Sequence, residues 1–259
     1  MQNKVILVSI DGMRADGVQM CGNSYIEELK KIGSYTFDAR TVYPSVTLPC
    51  HLSLFHSVPP ERHGITTNLY VPFARPLNGL CEQIKLFRGV SAMYYGWEPL
   101  RDVCRPESLK FSAYINAYME DRTDDALTDM AVERIRKSKP DFVFLYMVET
   151  DEKGGHDHGW MSPEYLECIS RALDNVKRVY EEFGDEYTIV VTADHGGHDR
   201  CHGTPAPEDM TIPNFYIGKK FQPGKVLEES SILDIAPTIA DVMGIFPAPE
   251  WEGKSHVNQ

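Results

Sequence analysis

The stretch TADHGGHDRCHGT, Thr192 to Thr204, packs three histidines and two aspartates into thirteen residues directly after the β-forming run YTIVV. Imidazoles and carboxylates without paired cysteines are the donors that suit Zn²⁺ or Mn²⁺. An exposed loop collects the same residues for solubility, so partners elsewhere in the chain must decide between the two. Three further clusters supply such partners. Asp11 follows VILVSI, Asp151 and His156 follow FVFLYMVET, and Thr47 lies in YPSVTLPCHLSLFHSVPPERHGITTN, where a helix is expected to start. A hydroxyl beside a bound metal can become a nucleophile at neutral pH, and a helix N-terminus offers free N–H groups and a positive dipole end to a phosphoryl group. A single aspartate at a strand end is more often a turn or cap residue. The convergence of four clusters is what points to a site.

Several elements must hold these residues. KVILVSI, SAMYY, DFVFLYMV and YTIVV are short, continuous apolar runs, the pattern of strands buried on both faces of a parallel sheet. Between them lie helical patterns in SYIEELKKIG, in DDALTDMAVERIRKSK and in SPEYLECISRALDNVKRVYEEFG, the last opened by Ser162 and Pro163. Its apolar stripe is expected at 166, 169, 173, 176, 180 and 183. The tail SSILDIAPTIADVMG reads as one more helix, closed by Gly244. The predicted fold is α/β, with a mainly parallel central sheet flanked by helices on both faces. In such sheets ligands bind beyond the carboxyl ends of the strands, where Asp11, Asp151 and Asp194 stand. One catalytic domain over 1–259 is expected, with a small irregular excursion at 70–122.

Composition narrows the function. The chain has 259 residues, 42% hydrophobic and 25% charged, which is enough for a sizeable core. A net charge of −12 gives no basic footprint for a nucleic-acid polymer, while small anionic substrates stay open because a bound metal can invert the local field. No apolar run approaches the ~18 residues of a membrane span. Cys21, Cys50, Cys81, Cys104, Cys168 and Cys201 are scattered singly, which reads as reduced thiols in a cytoplasmic protein. The sequence leaves the oligomeric state open.

The segments SIDGMRAD, YPSVTLPCHLSLFHSVPPERHGITTN, VETDEKGGHDHGW, TADHGGHDRCHG, EDMTIP and LDIAPTIADVMG occur in the same order as in a known family. The chain resembles the alkaline phosphatase superfamily, and within it the type I phosphodiesterase and nucleotide pyrophosphatase branch. The resemblance implies an alkaline phosphatase-like fold and two divalent metal ions, zinc first and manganese as the alternative. It implies Asp11, Thr47, Asp194 and His195 around one ion, and Asp151, a following histidine and His202 around the other. Asn68 would contact the phosphate. The family spacing is aspartate, three residues, histidine; here DEKGGH puts His156 one residue later, so His156 is favoured and His158 competes. His198 would stand behind the ligands, Cys50 would be a small buried filler, and His256 near the end would be solvated.

The implied reaction is metal-dependent phosphohydrolysis of a small phosphorylated substrate through a phospho-threonine, with a diester or nucleotide pyrophosphate favoured. A monoesterase or a phosphonoacetate-type C–P hydrolase would use the same site, and a non-catalytic metal-binding relative is the alternative from another class. Tyr70, Phe73, Tyr94, Tyr95 and Trp97 are candidates to stack on a leaving group.

Overall fold

The computed structural model of the chain describes residues 3–73, 75 and 77–258. Its strands are β1 Lys4–Ile10, β2 Ser34–Arg40, β3 Ser91–Tyr95, β4 Phe111–Tyr114, β5 Phe142–Met147, β6 Tyr187–Thr192 and β7 Thr211–Ile217. They form one sheet in the order β2-β7-β6-β1-β5-β3-β4. Neighbours from β6 to β4 pair in parallel, whereas β7 pairs antiparallel with both β6 and β2. Among the described strands β7 therefore runs against the rest. Every residue of β5 and β6 is buried, as is all of β1 beyond Lys4, which is why these strands read as unbroken apolar runs.

The helices that flank the sheet are α1 Ala15–Met20, α2 Tyr25–Ile32, α3 Thr47–His56, α4 Pro60–His63, α5 Leu80–Leu86, α6 Thr123–Ser138, α7 Pro163–Phe183, α8 Pro207–Met210 and α9 Ile235–Met243. At the start of α7 the Tyr165 N–H donates to Ser162 Oγ at 3.1 Å, with Pro163 in the first turn. The buried stripe of α7 includes Tyr165, Ile169, Leu173, Val176, Val179 and Phe183. Leu166 and Tyr180, expected inside, are only partly covered. Gly244 closes α9 at φ 72°, a left-handed conformation that glycine adopts without a Cβ clash. No described helix is long and apolar enough to cross a membrane.

Within 70–122 the described residues include α5 and two strands of the main sheet, β3 and β4. β4 has only four residues with alternating exposure, too short a pattern to stand out in the sequence. His256 departs from expectation: it is buried, its N–H donates to Thr238 Oγ1 at 3.1 Å, and its Nε2 lies 3.1 Å from Asp234. The chain end folds back over α9, which proximity to the terminus alone did not reveal.

Register explains why the chemistry gathers at one place. Ser9 pairs with Tyr146 on one side and with Thr192 on the other, so β6, β1 and β5 end level. With strands about 4.8 Å apart, the first residues beyond these ends fall within roughly 10 Å of one another. Ile6, fully buried in β1, tests this arrangement. Ile6→Ala should cost about 2–5 kcal/mol and Ile6→Val about 0.5–1.5 kcal/mol in urea unfolding; an Ile6→Ala midpoint equal to wild type would contradict a central β1.

Candidate metal centre

Two groups of side chains converge beyond the strand ends. Asp11, Asp194 and His195 offer atoms within 4.8 Å of one another, and so do Asp151, His195 and His202. His195 is common to both. Its Nε2 lies 3.3 Å from Asp11 Oδ1, 3.4 Å from Asp194 Oδ2 and 3.2 Å from Thr47 Oγ1. Thr47 is the first residue of α3 and is buried, so its hydroxyl meets the cluster at a helix N-terminus. Asn68 Oδ1 accepts the Leu48 N–H at 3.0 Å, which fixes that amide beside Thr47 and leaves its NH₂ to donate. Thr47, Asp11, Asp151, Asp194, His195 and His202 are thus assembled in one place.

The hydrogen bonds of the imidazoles determine which face each presents. His195 Nδ1 donates to Gly196 O at 2.8 Å, His202 Nδ1 to Ser45 O at 2.9 Å, and His156 Nδ1 to Arg200 O at 3.0 Å. A carbonyl can only accept, so each Nδ1 carries the proton; the Nε2 of neutral His195 and His202 then turns a lone pair toward the carboxylates, whereas His156 Nε2 stands as a donor toward Asp151. His156 Nε2 is 3.3 Å from Asp151 Oδ2, and His202 Nε2 is 3.9 Å from Asp151 Oδ1. Asp11 Oδ1, Asp151 Oδ1 and Asp194 Oδ2 are buried with no hydrogen-bond partner among the described residues.

Burial and the closeness of the three carboxylates govern the protonation of the cluster. Burial and the neighbouring Asp194 and Asp151 push Asp11 well above the usual carboxylate range, and burial with Asp151 raises Asp194 to about 8. Burial and His202 drive His195 down to about 3. Burial also works to raise Asp151, yet His156, His195 and His202 together hold it below its ordinary value. Hydrogen bonding to Asp151 raises His156 to about 9. The donor set and its unpartnered oxygens fit divalent metal ions.

A π turn places His156. Residues Thr150–His156 form a π-helix, whose bonds run from i to i+5. In an α turn Gly155 would follow Asp151 onto the same face; the wider turn brings His156 there instead. This absorbs the extra residue in DEKGGH. His158 is exposed, while the His156 ring lies 5.2 Å from that of His202. The second close trio nevertheless contains His195, with His156 approaching Asp151 from its other oxygen.

Surrounding groups hold the ligands. Tyr146 donates its hydroxyl to Asp11 Oδ2, leaving Oδ1 for the cluster. Asp194 Oδ1 accepts from the Gly12 and His195 N–H groups at 3.2 and 2.9 Å. His51 Nδ1 donates to Thr47 O at 2.8 Å while its Nε2 lies 3.1 Å from Ser9 Oγ. His198 sits outside both trios and donates to buried Asp209 at 2.7 Å; Asp209 also accepts the Thr204 N–H and hydroxyl, pinning the loop between His195 and His202. Cys50 is buried and its thiol is pushed up by burial, consistent with a filler.

The proposed stacking aromatics divide. Tyr94 and Tyr95 are buried in β3, and Phe73 packs edge-on to His56 at 5.3 Å, so these belong to packing. Sequence reasoning missed Tyr146 and Trp160. A phenol in the otherwise apolar FVFLYM was the available signal for Tyr146, since a buried hydroxyl needs a partner.

Family models match on both sides of the centre. The Metalloenzyme superfamily model covers residues 79–247, and the model for Type I phosphodiesterase / nucleotide pyrophosphatase covers residues 5–77. The chain belongs to the Metalloenzyme superfamily. Residues 5–77 match the phosphodiesterase and nucleotide pyrophosphatase branch of the alkaline phosphatase superfamily. It is 26% identical over 218 residues to mouse ectonucleotide pyrophosphatase/phosphodiesterase family member 1, a match taking in 74% of this chain and 24% of that relative. The chain thus spans about a quarter of that relative's length. A 2,3-bisphosphoglycerate-independent phosphoglycerate mutase of Francisella tularensis is 30% identical over 142 residues, 51% of this chain and 26% of the mutase. Among solved structures, murine ectonucleotide pyrophosphatase / phosphodiesterase 5 superposes with a TM-score of 0.81 at 15% identity, covering 97% of this chain and 98% of that one. An inactive variant of that protein, in complex with AMP, gives a TM-score of 0.79 at 16% identity, with 97% of each chain covered.

Because buried oxygens await a cation, Zn²⁺ or Mn²⁺ added to chelator-treated protein should raise its Tm in a concentration-dependent way. His202→Ala should reduce that rise more than His198→Ala in parallel thermal melts. The reverse order would mean that the loop presents the other histidine.

Proposed function

We propose that the chain is a metal-dependent hydrolase of phosphodiester or phosphoanhydride bonds, acting on a small nucleotide-like substrate through Thr47. The observation that carries this reading is the Thr47 hydroxyl 3.2 Å from His195 Nε2, within a cluster whose unpartnered oxygens fit two divalent ions. The AMP complex of the murine structural neighbour supports a nucleotide-like substrate. We assign one ion to Asp11, Thr47, Asp194 and His195, the other to Asp151, His156 and His202, and favour zinc for the mixed imidazole and carboxylate donors. Such ions, when bound, act as Lewis acids that lower the pKa of a hydroxyl or water and neutralise charge on phosphoryl oxygens.

The side chains supply the rest. Thr47 Oγ1 attacks phosphorus, forming the threonine ester as the bond to the leaving group breaks. Asn68, held on the Leu48 N–H, donates from its NH₂ to a non-bridging oxygen that gains charge in the transition state. The N-terminus of α3 points its positive dipole end at the same group. Water then cleaves the phospho-threonine and restores Thr47. His195 would not serve as a base, because its Nδ1 proton is engaged by Gly196 O and its Nε2 lone pair is assigned to the ion; the Thr47 proton would leave to water once the hydroxyl is acidified.

Thr47→Ala should reduce turnover of bis-p-nitrophenyl phosphate to background while metal content stays at the wild-type level, and Asn68→Ala should lower kcat about 100-fold. Asp194→Asn should abolish activity with the circular dichroism spectrum unchanged. Full activity in Thr47→Ala would remove the nucleophile from this reading. A faster rate on a monoester or on phosphonoacetate than on diester and dinucleotide substrates would redirect it to those chemistries.

A further inference from the structure

Trp160 is buried, and its indole touches three of the segments that build the centre. Nε1 donates to Gly12 O at 2.9 Å, next to Asp11. The ring meets the His156 imidazole edge-on, with centroids 5.1 Å apart at 87°, and lies 5.9 Å from the His202 ring at 62°. The backbone N–H of Trp160 donates to Asp199 O at 2.8 Å, in the loop that carries His202. Glycines make the slot for it: a Cβ on Gly155 would stand 2.5 Å from the indole, and one on Gly197 would collide with the opposite side.

We propose that Trp160 is a positioning residue that wedges the π turn open and holds His156 and His202 against Asp151, and that it does so for this half of the centre only. This rests on the reading of the centre as a two-metal site. π turns are rare, and the same segment could close into an α turn that presents Gly155 in place of His156. With the indole inserted beside Gly155, the space that such a tightening needs is filled. Asp11 and Asp194 are held by Tyr146, by the Gly12 and His195 N–H groups, and by Thr41, whose hydroxyl donates to Asp194 O; Gly12 O, which the indole also reaches, keeps the Tyr165 hydroxyl at 2.8 Å when the indole is lost. Loss of the indole therefore spares the first trio and loosens the second.

The experiment measures Zn²⁺ and Mn²⁺ binding to chelator-treated full chain by calorimetry and elemental analysis, with tryptophan emission as a second readout. Wild type should take up two ions. Trp160→Ala should keep one at wild-type affinity and bind the other about 10–100-fold more weakly, the range for losing an outer support of a ligand. His156→Ala should match this loss, and the double variant should add little to it. Trp160→Phe fills much of the slot without the bond to Gly12, so it should fold as wild type, judged by circular dichroism, and weaken the same ion by a smaller factor. Metal-dependent change in tryptophan emission should largely disappear in Trp160→Phe, although Trp97 and Trp251 remain. Where Trp160→Ala fails to fold, Trp160→Phe decides by the same two readouts. Two ions bound with wild-type affinity by folded variants, or both weakened equally, would overturn the positioning role and leave the metal centre standing. No ion bound by wild type would overturn the metal centre and this role together.

Discussion

The structure turns on three buried carboxylate oxygens, Asp11 Oδ1, Asp151 Oδ1 and Asp194 Oδ2, that have no hydrogen-bond donor among the described residues and face the Nε2 atoms of His195 and His202. Leaving one such ion buried and unpaired costs several kcal/mol, far more than the net worth of an ordinary hydrogen bond. A fold keeps such an arrangement only where surrounding bonds over-determine it and a cation can resolve it. Here the resolving charge must be compact, because His195 serves both trios and its ring stacks on His202 at 4.0 Å.

The surrounding bonds come from rigid elements wherever the sequence allows. Asp11 follows β1 directly, with its N–H bonded to Met147 O of the next strand, so its backbone continues the sheet for one more residue. Asp194 lies two residues beyond β6, and both are fully or nearly fully buried. Thr47 opens a helix whose ten residues are all buried, and His51 one turn later bonds back to it. Thr47 and the first trio are therefore fixed by a sheet edge and a core helix. Small displacements there would be resisted by close packing rather than by loop stiffness.

Much of this was legible in the sequence, and the reasons are physical. β1, β5 and β6 are buried on both faces, so hydrophobicity alone announces them, and polar residues directly after such runs have to lie at the ligand-binding edge. The order of the motifs then resembles a family whose ligands map onto these positions one by one. β4 stayed invisible because four residues with alternating exposure carry little pattern. Tyr146 was hidden inside the run that identified its strand. Trp160 stood in view in the HGW motif, but its role depends on glycines at Gly155 and Gly197 that meet it only in three dimensions. His256 was misread because its burial comes from the chain end folding over α9.

The single extra residue after Asp151 shows how local and global constraints share one segment. Four-residue spacing would let an ordinary α turn deliver the histidine, and the insertion rotates it off the face by about 100° per residue at 3.6 residues per turn. Widening the turn to i→i+5 bonding restores the face without moving the strand or α7, since the excess is taken up within Thr150–His156. The Gly159 N–H, bonded to both Gly154 O and Gly155 O, then closes the turn before the chain reaches Trp160. The result is a graded centre. The His195 side chain is fully buried, whereas those of His202 and His156 are 10% and 35% exposed, so solvent reaches the centre from the side built on turns.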